Sequence, residues 1–301
     1  MGSRSEQVLI TGGTGFTGRA LAERLREDGY EVMALSHDAA GQNTLRADLR
    51  DFAGLAERLS GISPDIVVHL AGIAAPSHAD IAEIYQCNVV GTANLFAALA
   101  AKKLQPRLVV VASSAQVYAV ELANDPLTEE SPLAPKSHYA VSKRAIEDIA
   151  ALYSGDFPIV ITRPFNYTGP GQSPVFFVPK VVRHYAERRT EIRAGNLDLY
   201  RDISDIRRVV EAYARLISRP VGPATVNICS GRAFYLGDIF KAMEEISGHS
   251  LRIVADPLFF RHNDPYVVVG SPSRLESLVG PLPNPDFRET LMSMYEAYTH
   301  K

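Results

Sequence analysis

Tyr139 and Lys143 are the two residues of this 301-residue chain whose types and spacing best suit catalysis. Four positions apart, they are expected on one face of a helix. A phenol ordinarily has a pKa of about 10, and a neighbouring ammonium lowers that pKa by favouring the phenolate. Such a phenol gives a proton to a carbonyl oxygen as a hydride reaches the carbon, or removes one in the reverse direction. The alternative is an exposed helix face, because this spacing often recurs by chance.

Two serines, Ser113 and Ser114, follow the apolar run Arg107 to Ala112, which is typical of a strand. Ligands of parallel sheets bind at the carboxyl ends of the strands. We therefore expect Ser114 to hydrogen-bond the carbonyl that Tyr139 protonates and to orient it. Plain termination of the strand is the alternative.

A glycine-rich turn with Gly12, Gly15 and Gly18, in the segment TGGTGFTG, directly follows the apolar run Val8 to Thr11. Glycines at this spacing allow a tight turn, a close approach of the backbone to a pyrophosphate, and close packing of helix on strand. The amino end of the helix then presents free N–H groups to the phosphates. The turn predicts a dinucleotide site that includes Phe16, and a glycine-rich loop without a ligand is the alternative.

The end of the second predicted strand, Glu31 to Leu35, is where the adenosine ribose of a dinucleotide is recognised. An acidic residue there bonds the 2′-hydroxyl of NAD, but this chain has Ser36 and His37. These side chains accept a 2′-phosphate without charge repulsion, which favours NADP(H). Asp38 keeps NAD(H) open because its carboxylate could bend back, and His37 could equally be a solvated loop residue.

Asp48 and Leu49 come after a short run that follows the second strand. We expect the Asp48 carboxylate to accept a hydrogen bond from the adenine amino group. The alternative is a helix N-cap ahead of Asp51 to Leu59, and the two roles do not exclude each other.

Apolar strands alternate with amphipathic helices through the first half of the chain. This rhythm requires parallel pairing, because parallel strands need crossover helices, and these helices cover both faces of the sheet. We predict an α/β fold with a doubly wound parallel sheet of the Rossmann type and a ligand crevice at the carboxyl ends of its strands. The predicted strands are 8–11, 31–35, 66–70, 107–112 and 159–162, and the predicted helices are 19–28, 51–60, 80–102 and 139–153.

The pattern changes after Arg163 and predicts a smaller C-terminal substrate-binding lobe. Residues 164–179 are rich in Pro, Gly and Phe and indicate a loop, and 257–285 is proline-rich and irregular. The other predictions here are helices at 179–189, 205–218 and 235–247 and a strand at 224–229. We expect a dinucleotide-binding domain over 1–163 and a substrate lobe over 164–301, with part of 204–230 packing back on the first domain.

The composition is that of an ordinary globular protein, with 46% hydrophobic and 22% charged residues and a formal net charge of −3. This charge gives no reason to expect nucleic acid or anionic lipid as a partner. No run of about 18 apolar residues predicts a membrane span. The two cysteines, Cys87 and Cys229, have no metal-type neighbours, so we predict no disulfide, no metal site and a reducing, cytoplasmic setting.

In their order and spacing these motifs resemble the extended short-chain dehydrogenase/reductase family over essentially the whole chain. The matching segments are TGGTGFTG at 11–18, ADL at 47–49, HLAG at 69–72, NVVGTANL at 88–95, SSAQVY at 113–118 and YAVSK at 139–143. The resemblance implies a catalytic trio of Ser114, Tyr139 and Lys143. It also implies that Asn88 supports the active-site helix and the lysine, although Asn88 could instead be a polar cap within a helix. The cofactor contacts that it implies include Leu70, Ala71, Gly72, Tyr139 and Lys143.

The segment RPFNYTGPGQ at 163–172 resembles the substrate cleft of nucleotide-sugar enzymes. It is most similar to reductases of GDP-6-deoxy-4-keto-hexoses, the GDP-rhamnose-forming type, with dTDP-6-deoxytalose dehydrogenases as near relatives. The resemblance implies that Asn166 bonds the substrate diphosphate and that Arg201 and Arg261 bring positive charge to it. Surface or inter-lobe ion pairs are the alternative for both arginines. Gln116, expected at the substrate, replaces the acidic residue of the family's dehydratases, which favours redox chemistry over dehydration because an amide is no acid or base.

Two other functions stay open at this point. One is an epimerase that keeps its NAD bound and returns the hydride to the other face of the sugar. The other is a non-catalytic dinucleotide-binding protein of the same fold, although such proteins can lose the tyrosine or the lysine that this chain retains. The resemblance also suggests a homodimer formed through the long helices near 80–102 and 139–153.

Overall fold

The computed structural model describes residues 5–38, 41, 43–74, 80–120, 126–259 and 264–299. The strands are β1 (Gln7–Thr11), β2 (Glu31–Ser36), β3 (Thr44–Arg46), β4 (Ile66–His69), β5 (Leu108–Ala112), β6 (Ile159–Pro164), β7 (Asn166–Thr168), β8 (Glu191–Ala194), β9 (Tyr200–Asp205), β10 (Ala224–Ile228), β11 (Ala233–Tyr235), β12 (Arg252–Ala255) and β13 (Val267–Val268).

The helices alternate with these strands through the first part of the chain, as the periodicity predicts. They are α1 (Phe16–Glu27), α2 (Phe52–Leu59), α3 (Ile81–Tyr85), α4 (Gly91–Ala101), α5 (His138–Leu152), α6 (Phe177–Ala186), α7 (Ile206–Ser218), α8 (Leu236–Ser247), α9 (Ser273–Val279) and α10 (Phe287–Thr299).

A seven-stranded parallel sheet forms the main layer, in the order β10-β6-β5-β4-β1-β2-β3. Its central strands are apolar on both faces, because Val8 and Ile10 point into one core and Leu9 into the other. Helices α1, α7 and α9 cover the first face, and α2, α4 and α5 cover the second. The predicted doubly wound α/β fold is confirmed.

The direction of winding reverses between β1 and β4. From β1 the chain moves outward to β2 and β3, then returns to the other side of β1 and continues through β4, β5 and β6. Crossover connections leave in opposite directions at this point, so a crevice opens at the carboxyl ends of β1 and β4.

The long helix predicted over 80–102 is divided into α3, a π-helical turn (Gln86–Val90) and α4. The hydroxyl of Thr92, in the first turn of α4, donates to the Asn88 carbonyl oxygen of the π-helical turn at 2.5 Å. Among the described residues, 81–101 is the one run long and apolar enough to cross a membrane by length and composition. Its Leu95, Phe96 and Leu99 are fully buried against the sheet, as in the core helix of a soluble protein.

The C-terminal lobe is built around β9, which pairs with β7, β11 and β13, while β8 and β12 form a separate parallel pair. Helices α6, α8 and α10 share one apolar core with this lobe. The loop predicted over 164–179 is therefore wrong in part, because it contains β7 and the start of α6. The irregular structure predicted over 257–285 is also wrong in part, because α9 begins directly after Pro272. The short β3 and β7 depend on pairing with strands elsewhere, which local pattern does not reveal.

Candidate active site

The carboxyl edge of the main sheet gathers most of the residues selected from the sequence. Gly12 follows β1, Ser36 ends β2, and Leu70 follows β4. Ser114 follows β5, and Asn166 lies two residues beyond β6. Since all these strands are parallel, their carboxyl ends meet along one crevice.

The glycine turn is formed by backbone contacts too close for side chains. Gly12 has a φ of +68°, and a Cβ there would lie 2.9 Å from the Ala71 backbone. A Cβ on Gly18 would lie 2.3 Å from the Gly12 carbonyl oxygen. Gly15 is the N-cap of α1 and supplies no side-chain acceptor, so the first N–H groups of α1 are not capped by a side chain. This amino end fits a pyrophosphate, as the turn predicts.

The end of β2 carries a short chain of hydrogen bonds. The buried Ser36 hydroxyl donates to the Asp38 carboxylate at 2.8 Å and lies 3.1 Å from the Thr14 hydroxyl. Asp38 therefore does bend back towards Ser36. His37 is exposed, and its carbonyl oxygen accepts from Arg46 Nε at 3.3 Å.

Asp48 is held by an arginine close to it in sequence. Arg50 Nη2 lies 2.7 Å from its carboxylate, and the ion pair lowers the pKa of Asp48. The N-cap of α2 is Asp51, whose carboxylate accepts from Gly54 N at 3.1 Å, so the capping alternative for Asp48 is wrong. The carbonyl oxygen of Leu49 accepts from the Asn94 side chain at 2.8 Å, which ties this segment to α4.

A buried histidine, His69 at the end of β4, joins the glycine turn to the loop after β4 and to α4. Its Nδ1 lies 2.7 Å from the Thr11 hydroxyl, and its Nε2 lies 2.8 Å from the Thr92 hydroxyl. Since Thr92 donates its proton to the Asn88 carbonyl, Nε2 must carry the imidazole proton. Burial and the Lys143 charge lower the pKa of His69 to about 3, so the ring is neutral. Thr11 also accepts from Ala71 N at 3.2 Å, which holds the loop from Leu70 to Gly72 against the glycine turn.

Asn88 connects this loop to the active-site helix α5. Its Oδ1 accepts from Ile73 N at 2.7 Å, and its Nδ2 donates to the Ser142 hydroxyl at 2.9 Å. A Cβ on Gly72 would lie 2.8 Å from Asn88 Oδ1 and 3.6 Å from Lys143 Nζ, so these three residues meet at one point. The capping alternative does not describe Asn88, since its side chain bonds outside its own helix.

Tyr139 and Lys143 share one face of α5, which begins where the Ser137 hydroxyl accepts from Ala140 N at 3.1 Å. Tyr139 is half-buried, and the Ser114 hydroxyl acts on its phenol in the sense that lowers the pKa. Lys143 is buried, and its Nζ donates to the Ala112 carbonyl at 2.8 Å and lies 5.9 Å from the centre of the Tyr139 ring. The structure thus brings the three predicted catalytic residues together.

The pKa values of the pair are set by burial more than by their mutual charge. Burial raises the pKa of Tyr139 to about 12, although the hydrogen bond with Ser114 opposes the increase. Burial also lowers the pKa of Lys143 to about 8, while Glu147 opposes the decrease. The predicted lowering of the phenol's pKa by the ammonium is wrong for this structure, because desolvation of the phenolate raises the pKa and Lys143 is not among the groups that shift it.

Besides Ser114, three of the residues predicted to contact the substrate lie within the described chain. Gln116 is exposed on the turn after Ser114, and its backbone N–H donates to the Ser114 hydroxyl at 3.2 Å. Asn166 is exposed, and its Nδ2 donates to the Asp202 carbonyl at 3.2 Å, one residue from Arg201. Arg201 pairs with Asp264 at 2.7 Å, which offsets part of its charge. Arg261 lies outside the described residues.

The family of this chain follows from a sequence comparison. The model of the NAD dependent epimerase/dehydratase family matches residues 8–229, which is more than half of the chain. The chain belongs to this family. It is an NAD(P)-dependent enzyme, and the uncapped amino end of α1 fits the cofactor that the family name requires.

Two curated relatives match this family member over nearly their whole length. The GDP-6-deoxy-D-talose 4-dehydrogenase of Aggregatibacter actinomycetemcomitans is 33% identical over 91% of both chains. The GDP-6-deoxy-D-mannose reductase of Pseudomonas aeruginosa is 30% identical over 96% of both chains.

Two solved structures share the fold across the whole chain. RMD from Pseudomonas aeruginosa, complexed with NADPH, is 29% identical with a TM-score of 0.87, covering 98% of this chain and 99% of that one. The UDP-glucose 4-epimerase of Thermus thermophilus, complexed with NAD, is 26% identical with a TM-score of 0.83, covering 97% of this chain and 98% of that one.

The sequence reasoning missed an aromatic contact of this family member between β7 and α1. Tyr167 on β7 stacks on Phe16 with ring centres 6.2 Å apart, and its hydroxyl lies 2.8 Å from the Thr17 hydroxyl. The contact joins the glycine turn to the segment that carries Asn166. The one available signal was the position of Tyr167 beside Asn166, because nothing local in the sequence pairs it with Phe16.

Proposed function

We propose that this enzyme is a nucleotide-sugar reductase that acts at C4 of a nucleotide-linked 6-deoxy-4-keto-hexose. The observation that carries the proposal is the meeting of Tyr139, Ser114 and Lys143 at the sheet edge that also bears the glycine turn. The names of the two curated relatives, a GDP-deoxyhexose dehydrogenase and a GDP-deoxyhexose reductase, support the substrate class.

Each residue has a separate part in the proposed reaction. The nicotinamide, when bound, supplies or accepts the hydride. The Tyr139 phenol gives its proton to the carbonyl oxygen as negative charge develops there, and the Ser114 hydroxyl, which follows β5 at the same sheet edge, orients that oxygen. Lys143 presents an ammonium beside the phenol for the nicotinamide ribose.

The protonation state of Tyr139 suits its proposed part as the proton donor when the carbonyl is reduced. With a pKa of about 12, the phenol is protonated at neutral pH and is ready to act as an acid. Oxidation would need the phenolate, which burial makes unfavourable. The alkoxide that forms during reduction is more basic than this phenolate, so the proton transfer is downhill.

Two further features support simple redox chemistry. Gln116 has no acid or base function, although it lies exposed beside Ser114 at the crevice. Asn166 and Arg201 lie on neighbouring strands, where an amide and a guanidinium suit the oxygens of a diphosphate. Arg261 is also proposed to contact the diphosphate, and this part of the proposal rests on the sequence alone.

NADP(H) is the proposed cofactor, because Ser36 and His37 at the end of β2 carry no carboxylate and Arg46 lies beside His37. The Asp38 carboxylate, which accepts from the Ser36 hydroxyl, could instead bond the 2′-hydroxyl of NAD(H), so NAD(H) stays open as the cofactor. The cytoplasm is the proposed setting, since it supplies reduced nicotinamides and nucleotide sugars.

A panel of GDP- and dTDP-linked 6-deoxy-4-keto-hexoses, each offered with NADPH and NADH, tests the function. We expect net oxidation of the nicotinamide, which is measured as a loss of the near-ultraviolet absorbance of its reduced form. NADPH should be preferred, and a GDP sugar should be among the substrates. Absence of net oxidation with every sugar would remove the reductase assignment.

An epimerase is the second candidate, since several UDP-glucose 4-epimerases are related to this chain at 25–28% identity. An epimerase keeps its nicotinamide bound through the catalytic cycle, in which NAD takes the hydride and gives it back, so no net redox change results. Protein that retains NAD through purification and interconverts 4-hydroxy epimers without net redox change would favour this candidate.

A further inference from the structure

A buried carboxylate, Glu147, lies one helical turn after Lys143 on α5 and takes no part in the proposed reaction. Its side chain accepts from the Ser113 hydroxyl at 2.5 Å. It also accepts two hydrogen bonds from Arg163 on β6, from Nε at 2.9 Å and from Nη2 at 2.7 Å. Both side chains of this ion pair are only 6% exposed, so the charges are almost fully withdrawn from water.

Arg163 is itself held by groups from two other parts of the fold. Its Nη1 donates to the Tyr118 hydroxyl at 3.1 Å and to the Glu129 carbonyl at 3.2 Å. Tyr118 in turn donates to Asn227 on β10 at 2.6 Å. The guanidinium also lies over the Tyr118 ring, 4.9 Å from its centre. The Glu147–Arg163 pair is therefore fixed on every side.

Such a pair is not explained by stability alone. Burying two charges costs several kcal/mol of desolvation, and replacement of a buried pair by apolar residues is often neutral or stabilising. A role in the active site is a better reason for its presence, and the geometry supplies one. Lys143 Nζ bonds the carbonyl of Ala112, and Glu147 bonds the hydroxyl of the next residue, Ser113. The Lys143 ammonium and the Glu147 carboxylate thus hydrogen-bond to consecutive residues, Ala112 and Ser113, at the end of β5.

We propose that Glu147, clamped by Arg163, is a positioning residue that fixes α5 against β5 and keeps Lys143 in its ammonium form. The inference rests on the proposed role of Lys143 in the active site. In this proposal the Glu147–Arg163 pair gives the buried Lys143 the electrostatic support that it needs to remain charged.

The charged and titratable groups that face the two residues agree with this role. Around Lys143 are the neutral His69 from β4, the protonated Tyr139 and Glu147 from its own helix. Uncharged Asn88 and Gly72 face it from the other side. Around Glu147 are Arg163 and, at 3.4 Å, the partly exposed Arg144. Glu147 is the group whose charge raises the pKa of Lys143 against desolvation.

Glu147→Gln tests the proposal by removing the charge while keeping the shape. The pKa of Lys143 would be read from the carbon shifts of isotope-labelled lysine in a pH titration by NMR, with the signal assigned by its loss in Lys143→Arg. We expect a decrease of roughly one pH unit or more, and the loss of NADPH affinity on raising the pH should begin correspondingly earlier. Glu147→Asp keeps the carboxylate, so the pKa of Lys143 and the pH at which NADPH affinity is lost should both lie closer to those of the parent protein.

Asp148→Asn is the matched control, because it removes the same charge from the neighbouring residue of the same helix. Asp148 is 59% exposed and pairs with Arg144 at 2.6 Å. We expect the pKa of Lys143 to be unchanged in this variant. A decrease as large as that in Glu147→Gln would show a general charge effect and overturn the proposal.

A double variant covers the case in which Glu147→Gln leaves Arg163 unpaired and fails to fold. Glu147→Met with Arg163→Met removes both charges and leaves an apolar pair. The proposal expects a lowered pKa of Lys143 here too, and an unchanged pKa in either variant overturns it. If neither variant folds while Asp148→Asn does, the pair serves stability and the positioning role is lost. Since the titration needs no substrate, its outcome is independent of which sugar the enzyme reduces.

Discussion

At the scale of single residues, the chemistry depends on the protonation of Tyr139 and Lys143. Burial moves the two pKa values in opposite directions, to about 12 for the phenol and about 8 for the ammonium. At neutral pH the phenol therefore holds its proton and the lysine keeps its charge. This is the combination that a carbonyl reductase requires.

Replacing Tyr139 with Phe removes the proton donor and leaves the ring. We expect turnover to fall by roughly two to four orders of magnitude, while the dissociation constant for NADPH changes little. Steady-state kinetics and a fluorescence titration of NADPH measure the two quantities. Tyr153→Phe, at the other end of α5, is the matched control and should turn over normally. Undiminished activity in Tyr139→Phe would exclude the phenol from the mechanism.

The affinity for NADPH should fall as the pH rises through about 8, the pKa of Lys143. The sign follows from the charge, since the ammonium is present below this pKa and lost above it. Affinity measured by titration from about pH 7 to about pH 10, which spans the expected midpoint, tests this. Lys143→Arg keeps its charge throughout this range, so its affinity should lack this step. An equal step in Lys143→Arg would assign the titration to another group.

At the scale of elements, the glycine turn and the π-helical turn fix the loop after β4, which is predicted to contact the cofactor. Both depend on contacts between separate elements: Gly12 on Ala71, and Asn88 on Ile73 and Ser142. The neutral His69 joins the two through Thr11 and Thr92.

Gly18→Ala tests the packing of α1 on the turn. The added Cβ would meet the Gly12 carbonyl oxygen at 2.3 Å, and this backbone atom has little freedom to move. We expect the free energy of unfolding in urea to fall by about 1–3 kcal/mol, with weaker NADPH binding. Gly155→Ala, where no atom lies within 4 Å of the new Cβ, is the control and should change stability by less than about 0.5 kcal/mol. Equal stability of the two variants would refute the close-packing account.

At the scale of the whole molecule, the predicted homodimer concerns the outer faces of α3, α5 and the π-helical turn. Large apolar side chains are exposed there, and they are Ile81, Val90, Val141 and Leu152. Exposed apolar side chains on these helices are the ones that a second copy of the chain would cover in the predicted homodimer.

Charged substitutions on this face should separate the dimer. We expect the chain to sediment as a dimer and Val141→Glu with Leu152→Glu to sediment as a monomer with its fold intact. Leu258→Glu, a control at an exposed leucine elsewhere, should leave the dimer unchanged. A monomeric parent protein at micromolar concentration would contradict the prediction.

The sequence by itself determined the features that depend on local pattern. Strand and helix periodicity predicted the parallel sheet, and the glycine and Tyr-x-x-x-Lys spacings predicted which residues meet at its carboxyl edge. Predictions of this kind succeed because side-chain direction in a strand or helix repeats with a known period. The cofactor and substrate residues other than Arg261 could thus be placed, and their roles stay predictions.

Only the tertiary structure decided the protonation and the partners of those residues. It raised the pKa of Tyr139, turned Asp38 onto Ser36, and stacked Tyr167 on Phe16. It also enclosed Glu147 with Arg163 behind Lys143. Desolvation and contacts between distant segments produce these effects, and both depend on how whole elements pack, which no local spacing records.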